Sequence, residues 1–75
     1  MTVRLSARLS RYGSGRGLET LHLPGRATVA DLLTRLGIPA GEAPIIVVAG
    51  RPASLETAVA DGDTVELFPP PVSGG

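Results

Sequence analysis

The 75-residue chain contains no cysteine, no tryptophan and no lysine; its seven basic residues are all arginine: Arg4, Arg8, Arg11, Arg16, Arg26, Arg35 and Arg51. Without cysteine there is no disulfide framework, no thiolate zinc site and no thiol nucleophile. A single histidine, His22, leaves too few ligands for an ordinary transition-metal centre. Without lysine, the α-amino group is the only strong amine nucleophile in the sequence. Seven acidic residues balance the arginines, which removes the electrostatic footprint of a nucleic-acid binder. Long hydrophobic runs are missing too. The opening MTVRLSARLS alternates apolar and polar residues, and no run approaches the ~20 apolar residues of a membrane span. The expectation is a soluble, cytoplasmic protein with neither nucleic-acid nor membrane partners. Chains of this length bury only ~60% of their unfolded surface, so an enclosed pocket is not expected and any chemistry is shared with a partner.

The residues that are present arrange into elements. Val3, Leu5, Ala7 and Leu9 alternate with polar residues, which predicts one half-buried strand through Leu9. The glycine-rich stretch Tyr12 to Gly17 reverses the chain into a second strand, Leu18 to Leu23, giving an N-terminal hairpin ended by Pro24 and Gly25. Thr28 can cap a helix, with Asp31 in its first turn. Val29, Leu32, Leu33 and Leu36 then form one apolar stripe, and Gly37 and Pro39 stop it. A helix of about ten residues with one apolar stripe must lie across a sheet. Ile45 to Val48, apolar on both faces, predicts an interior strand or one whose back is covered by another protein. Ala49 to Pro52 reads as a turn, and Ala53 to Ala60 as either a short edge strand or an irregular crossover. Asp61-Gly62-Asp63 is a turn before a last strand, Thr64 to Phe68. The fold class is α+β: a β-grasp, ubiquitin-like mixed sheet of four to five strands with one main helix across it. A ferredoxin-like domain would need a second good helix, which Ala53 to Ala60 does not supply.

The domain is expected to span residues 1–68, and residues 69–75 form an extended tail. If Val65 and Leu67 face the helix, Phe68, one of only two aromatic residues, lies on the other face where a partner can meet it; the alternative is that it folds back into the core. Beyond it, Pro69-Pro-Pro-Val-Ser-Gly-Gly75 combines a stiff arm, with ~3.1 Å of reach per residue, and a tip without Cβ atoms. Such a tip can enter a narrow channel. Taken alone, the glycine pair favours a disordered terminus, since Gly-rich tails are common.

The stretch from Leu55 to Gly75, LETAVADGDTVELFPPPVSGG, resembles the C-terminus of the MoaD/ThiS sulfur carriers, which join a DGD turn, a strand ending in Phe-Pro-Pro and a terminal Gly-Gly. The phenylalanine and prolines are most similar to MoaD, the small subunit of molybdopterin synthase. There is one more proline than in the usual motif. The resemblance implies that a ubiquitin-activating-like adenylyltransferase uses ATP to adenylate the Gly75 carboxylate, and that sulfur from a persulfide donor displaces AMP to leave a thiocarboxylate. It further implies insertion of the tail into the molybdopterin synthase large subunit, or another acceptor enzyme, with the sulfur passing to the pterin precursor. On this reading the chain is a sulfur-donating subunit without catalytic side chains or a bound cofactor. Gly74 and Gly75 thread the channel, Pro69, Pro70 and Val72 line the arm, and Phe68 docks with the sheet back around Ile46 and Val48. Arg51 is a candidate for pairing with an acidic partner.

Alternatives from other classes are a carrier for thiamine or tRNA thiolation, a protein modifier that joins Gly75 to target lysines, and a plain interaction module. The remaining motifs have simpler readings. Gly13-Ser-Gly-Arg-Gly17 lacks the Lys-Ser/Thr pair and following helix of a phosphate loop and reads as a hairpin loop. His22 reads as a solvent-facing strand residue, and Asp61 and Asp63 as turn formers with too few carboxylates for a calcium loop.

Overall fold

The computed structural model describes residues 1–23 and 25–70. Its helix α1, Val29–Leu36, begins where the local chemistry dictates. The Thr28 hydroxyl accepts from the Asp31 backbone N–H, and the Asp31 carboxylate accepts from the Thr28 N–H at 2.9 Å, a reciprocal capping box. The helix ends at Gly37, whose φ of 74° suits a residue without Cβ; there the Gly37 and Ile38 N–H groups donate to Thr34 and Leu33 carbonyls. Val29, Leu32, Leu33 and Leu36, the apolar stripe, are all buried.

Among the described residues five strands complete the fold: β1 Thr2–Leu5, β2 Leu18–Thr20, β3 Ile45–Val48, β4 Arg51–Ala53 and β5 Thr64–Phe68. They form one sheet in the order β2-β1-β5-β3-β4. The central pair β1 and β5 is parallel and the other pairs are antiparallel, so the sheet is mixed. One helix across such a sheet is the β-grasp, ubiquitin-like fold expected from the sequence. Leu9, Leu32, Leu67, Val3, Val29 and Val65 are the largest fully enclosed side chains among the described residues.

Three local expectations change. The first strand stops at Leu5 rather than Leu9, and Ala7–Leu9 form a 3-10 turn. Leu9 is buried while Ala7 is exposed. Leu5 and Leu9 are four residues apart, a spacing that satisfies both a strand period of two and a helical turn, so alternation alone could not separate them. The second strand is three residues long instead of six. Leu21 continues the pairing through its N–H to the Met1 carbonyl, and Leu21 and Leu23 rest half-buried against the core edge. The expected turn at Ala49 to Pro52 is tighter: Ala49 and Gly50, with φ of 51° and 80°, alone form the reversal, and Arg51–Ala53 pair with β3. Pro52 fits there because β4 is an edge strand and needs no outward donor.

Residues 54–60 are the irregular crossover rather than a strand of the sheet. They fasten the start of α1: the Val29 and Ala30 N–H groups donate to the Thr57 and Leu55 carbonyls, the Val59 N–H donates to Ala27, and Val59 is buried. Two of the helix's otherwise orphaned N-terminal donors are thus satisfied. No helix among the described residues is long and apolar enough to cross a membrane.

Candidate functional site: the back of the sheet and the root of the tail

Directly paired residues in a sheet share a face, so the strand register assigns the surface opposite the helix. Ile45 pairs with Phe68, and Glu66 pairs with Val47 on one side and Arg4 on the other. Val47 continues to Pro52, and Arg4 to Leu18. The core side of the same strands carries Val3, Leu5, Ile46, Val48, Val65 and Leu67, all buried. The back therefore presents Leu18, 52% exposed, and Ile45, 42% exposed, with half-buried Val47 and Phe68 and exposed Pro52. An arginine and a glutamate, Arg4 and Glu66, lie side by side at its centre. This is a partly apolar surface with one charge of each sign, a composition suited to a protein partner.

The placement of the residues singled out in the sequence is mixed. Phe68 sits on the back, half-buried, away from the side chains packed against the core. Ile46 and Val48 do not line that surface. They are 5% and 9% exposed and point into the core, so the sheet-back positions are their neighbours Ile45 and Val47. Four consecutive β-branched residues carry no alternation of their own, and only the pairing of Ile45 with Phe68 sets the parity. Arg51 is exposed but pairs with Val48, at the opposite end of β3 from Ile45, so it does not join Phe68 at the tail. Leu18, Pro52, Arg4 and Glu66 complete the face; alternation within β1 and β5 marks Arg4 and Glu66, whereas Leu18 and Pro52 carry no local signal for it.

The tail leaves β5 at Phe68. Half-buried Pro69 and exposed Pro70 line an open groove with Arg8, Leu9, Arg11, Gly41 and Glu42. Arg11 is fixed there: its Nη2 donates to the Glu42 carboxylate and the Tyr12 hydroxyl, each at 3.1 Å, and its guanidinium lies 5.0 Å from the Tyr12 ring centre. The Tyr12 hydrogen bond first, and the nearby Tyr12 and Glu42 charge second, raise the Arg11 pKa above its ordinary value. Arg8 makes no ion pair among the described residues. Val72, Gly74 and Gly75 lie outside the described residues.

The glycine-rich loop is filled from within. The Glu19 carboxylate accepts from the Ser14 backbone N–H at 2.9 Å and from its hydroxyl, and a Cβ on Gly13 would stand 2.7 Å from Glu19 Cδ. The Ser14 hydroxyl first, then the Ser14 N–H, hold the Glu19 carboxyl below the usual carboxylate range. A loop whose amide already holds a carboxylate is a closed hairpin turn, not a phosphate cradle. Asp63 caps the DGD turn by accepting from the Ala60 N–H at 2.9 Å, and Gly62 takes a φ of 91°. His22 and Asp61 are solvent-exposed and 4.0 Å apart.

The family model described as Mut7-C ubiquitin matches residues 2–73. The chain belongs to the Mut7-C ubiquitin family. Solved structures extend the comparison over nearly its whole length. SAMP1 from Haloferax volcanii is 34% identical with a TM-score of 0.75, the match covering 100% of this chain and 98% of that one. A second structure, the H. volcanii small archaeal modifier protein 1, is 30% identical with a TM-score of 0.77, covering 95% and 97%. The putative molybdopterin converting factor, subunit 1, of Pyrococcus furiosus is 30% identical with a TM-score of 0.73, covering 93% and 95%. A comparison with curated proteins returned no match. The family member is thus ubiquitin-like, and similar both to a MoaD-like protein and to a small modifier, in agreement with the resemblance carried by its C-terminal motif.

Proposed function

We propose that this Mut7-C ubiquitin family member is a sulfur carrier for molybdopterin, the molybdenum or tungsten cofactor, with Gly75 as its reactive residue. The observation that carries this reading is continuity. Strand β5 places Phe68 on the sheet back beside Ile45 and passes at once into the proline arm, so a partner seated on that face receives the tail. A carboxylate is a poor electrophile until one oxygen becomes a leaving group. A ubiquitin-activating-like adenylyltransferase would supply that group by joining the Gly75 carboxylate to AMP from ATP. The outer sulfur of a donor persulfide then bonds to the carbonyl carbon as AMP departs, and a second thiol cleaves the resulting acyl disulfide, leaving the thiocarboxylate and an ordinary disulfide on the donor side. In the acceptor complex, cytoplasmic on this reading, the tail enters the large subunit and the sulfur moves to the pterin.

Ile45, Val47 and Phe68 dock the activating enzyme and the acceptor in turn, because one face adjoins the tail and both partners need the tail. Similarity to a molybdopterin converting factor subunit supports the choice of pathway. Gly75 thiocarboxylate, mixed with a molybdopterin synthase large subunit and cyclic pyranopterin monophosphate, should yield the dithiolene. A large subunit active with its own carrier but inert with this one would reject that pathway. The second reading, a protein modifier, is favoured by the 34% identity to SAMP1 over 100% of the chain. It predicts lysine-linked conjugates in cells that carry an intact tail.

A further inference from the structure

All seven arginines are exposed, and together they are the whole of the side-chain positive charge apart from His22. Only Arg11 uses the properties that set a guanidinium apart: its hydrogen bonds join Tyr12 and Glu42 while its plane lies near the Tyr12 ring. Arg4, Arg8, Arg16, Arg26, Arg35 and Arg51 make no side-chain hydrogen bond or ion pair among the described residues. At those six positions the fold uses nothing that lysine would not supply. Arg35, in the last turn of α1, favours the helix dipole by charge alone.

Arginine differs from lysine there in reactivity. A guanidinium stays protonated throughout the physiological range, whereas a lysine with a pKa near ~10.4 offers on the order of 1% free amine at pH 8.5. The α-amine of Met1 is partly buried, donates to the Leu21 carbonyl at 3.1 Å, and lies beside the Thr64 end of β5, the opposite end from the one where the tail leaves. The side chains therefore combine ample positive charge with no amine.

We propose that the chain is inert toward its own activated end, so that the acyl group on Gly75 passes only to an external acceptor and each product carries a single copy of this chain. This rests on the reading of Gly75 as the activated residue. The excluded reaction is aminolysis. An amine nitrogen would bond to the Gly75 carbonyl carbon, AMP or a thiolate would leave with the bonding electrons, and the ammonium proton would pass to solvent. For a carrier, the excluded reaction would consume the activated tail before sulfur arrived. For a modifier, it would build self-linked chains. Arg8 is the position where this matters most, because it lines the groove that holds Pro69 and Pro70 at the root of the tail.

The test uses the full chain with a Gly75 thioester made by intein cleavage, which needs no activating enzyme. Wild type, Arg8→Lys and Arg35→Lys are incubated alone at pH 8.5 and, separately, with added free cysteine. Adducts are read by intact mass and peptide mapping, and circular dichroism checks folding. Wild type should be consumed by cysteine yet form no self-adduct, while both lysine variants should form cyclic or dimeric amides at least about tenfold faster than wild type, given millimolar effective concentration for a short tether. Wild-type adducts at the Met1 amine or at a hydroxyl, formed as fast as those of the variants, would overturn the proposal. Variants that form no more adduct than wild type would overturn it as well. A parallel incubation with activating enzyme and ATP reports on the Gly75 reading alone, so the two failures are distinguishable.

Discussion

Ile45 and Ile46 are neighbours of identical chemistry on opposite faces of β3, which makes them a paired probe of the whole assignment. Ile46 is 5% exposed, packed in the core, and pairs with Leu67. Ile46→Ala removes buried methyl groups and leaves a cavity, a change that costs about 2–4 kcal/mol. Domains of this length are stable by roughly 4–11 kcal/mol in total. Since each kcal/mol corresponds to ~4–8 °C for a small domain, thermal unfolding followed by circular dichroism should shift down by ~10–25 °C. Ile45 is 42% exposed on the back. Ile45→Ala removes only a strand preference and partial burial, under ~1 kcal/mol, so its melting temperature should fall by less than ~8 °C. Binding should reverse the ranking. Measured calorimetrically at 15 °C, where both variants remain folded, Ile45→Ala should weaken association with the activating enzyme about tenfold, or ~1.4 kcal/mol, and Ile46→Ala should not. Equal destabilisation by the two substitutions, or a binding loss confined to Ile46→Ala, would refute the face assignment and the docking surface built on it.

Further consequences follow from particular contacts. Ala49 holds a φ of 51° ahead of Gly50, where an L residue with a Cβ is strained by about 1 kcal/mol. Ala49→Asn, which tolerates that conformation, should raise the melting temperature by ~4–8 °C, and an unchanged or lower value would contradict the turn. Asp31→Ala breaks the capping box and should cost about 1 kcal/mol in chemical denaturation, with Asp31→Asn recovering part of it. Glu19 has its pKa lowered in the fold by Ser14, so its contribution is complete above the unfolded carboxylate value and is lost as pH falls through the folded one. The 13–17 loop should therefore stay ordered at neutral pH and loosen only below the ordinary carboxylate range. The Ser14 amide resonance reports this, and Glu19→Gln should flatten its acid transition; a transition above the ordinary carboxylate range would show that Ser14 does not hold the carboxylate.

Local signals made part of this molecule legible from its residues. Thr28, Asp31 and Gly37 define the helix within a few positions of themselves, and the capping box and left-handed stop follow from them. Val65 and Leu67 against Glu66 and Phe68 gave the last strand its correct faces, because alternation is intrinsic to that segment. Ile45 to Val48 lacked such alternation. Its parity depends on a pairing with β5, distant in sequence, and the exposed members emerge as Ile45 and Val47 rather than Ile46 and Val48. Leu5 and Leu9, four apart, suit either a strand or a tight turn, and the turn prevails because Leu9 then reaches the core. The back surface spans all five strands, so Leu18 and Pro52 join Phe68 only through pairings that no single segment encodes. The proposed chemistry of the tail rests on residue types alone, a run of prolines followed by a glycine pair.

The proposed role of Gly75 as carrier of transferable sulfur is open to direct test. Incubation of the chain with a ubiquitin-activating-like enzyme, ATP and a persulfide donor, followed by intact-mass and tail-peptide spectrometry, tests it most directly. The expected result is the mass change of one sulfur-for-oxygen exchange on the tail peptide, and none in a chain lacking Gly75 whose melting temperature is unchanged. No exchange with partners that thiolate a known carrier, or full exchange in the chain without Gly75, would contradict it.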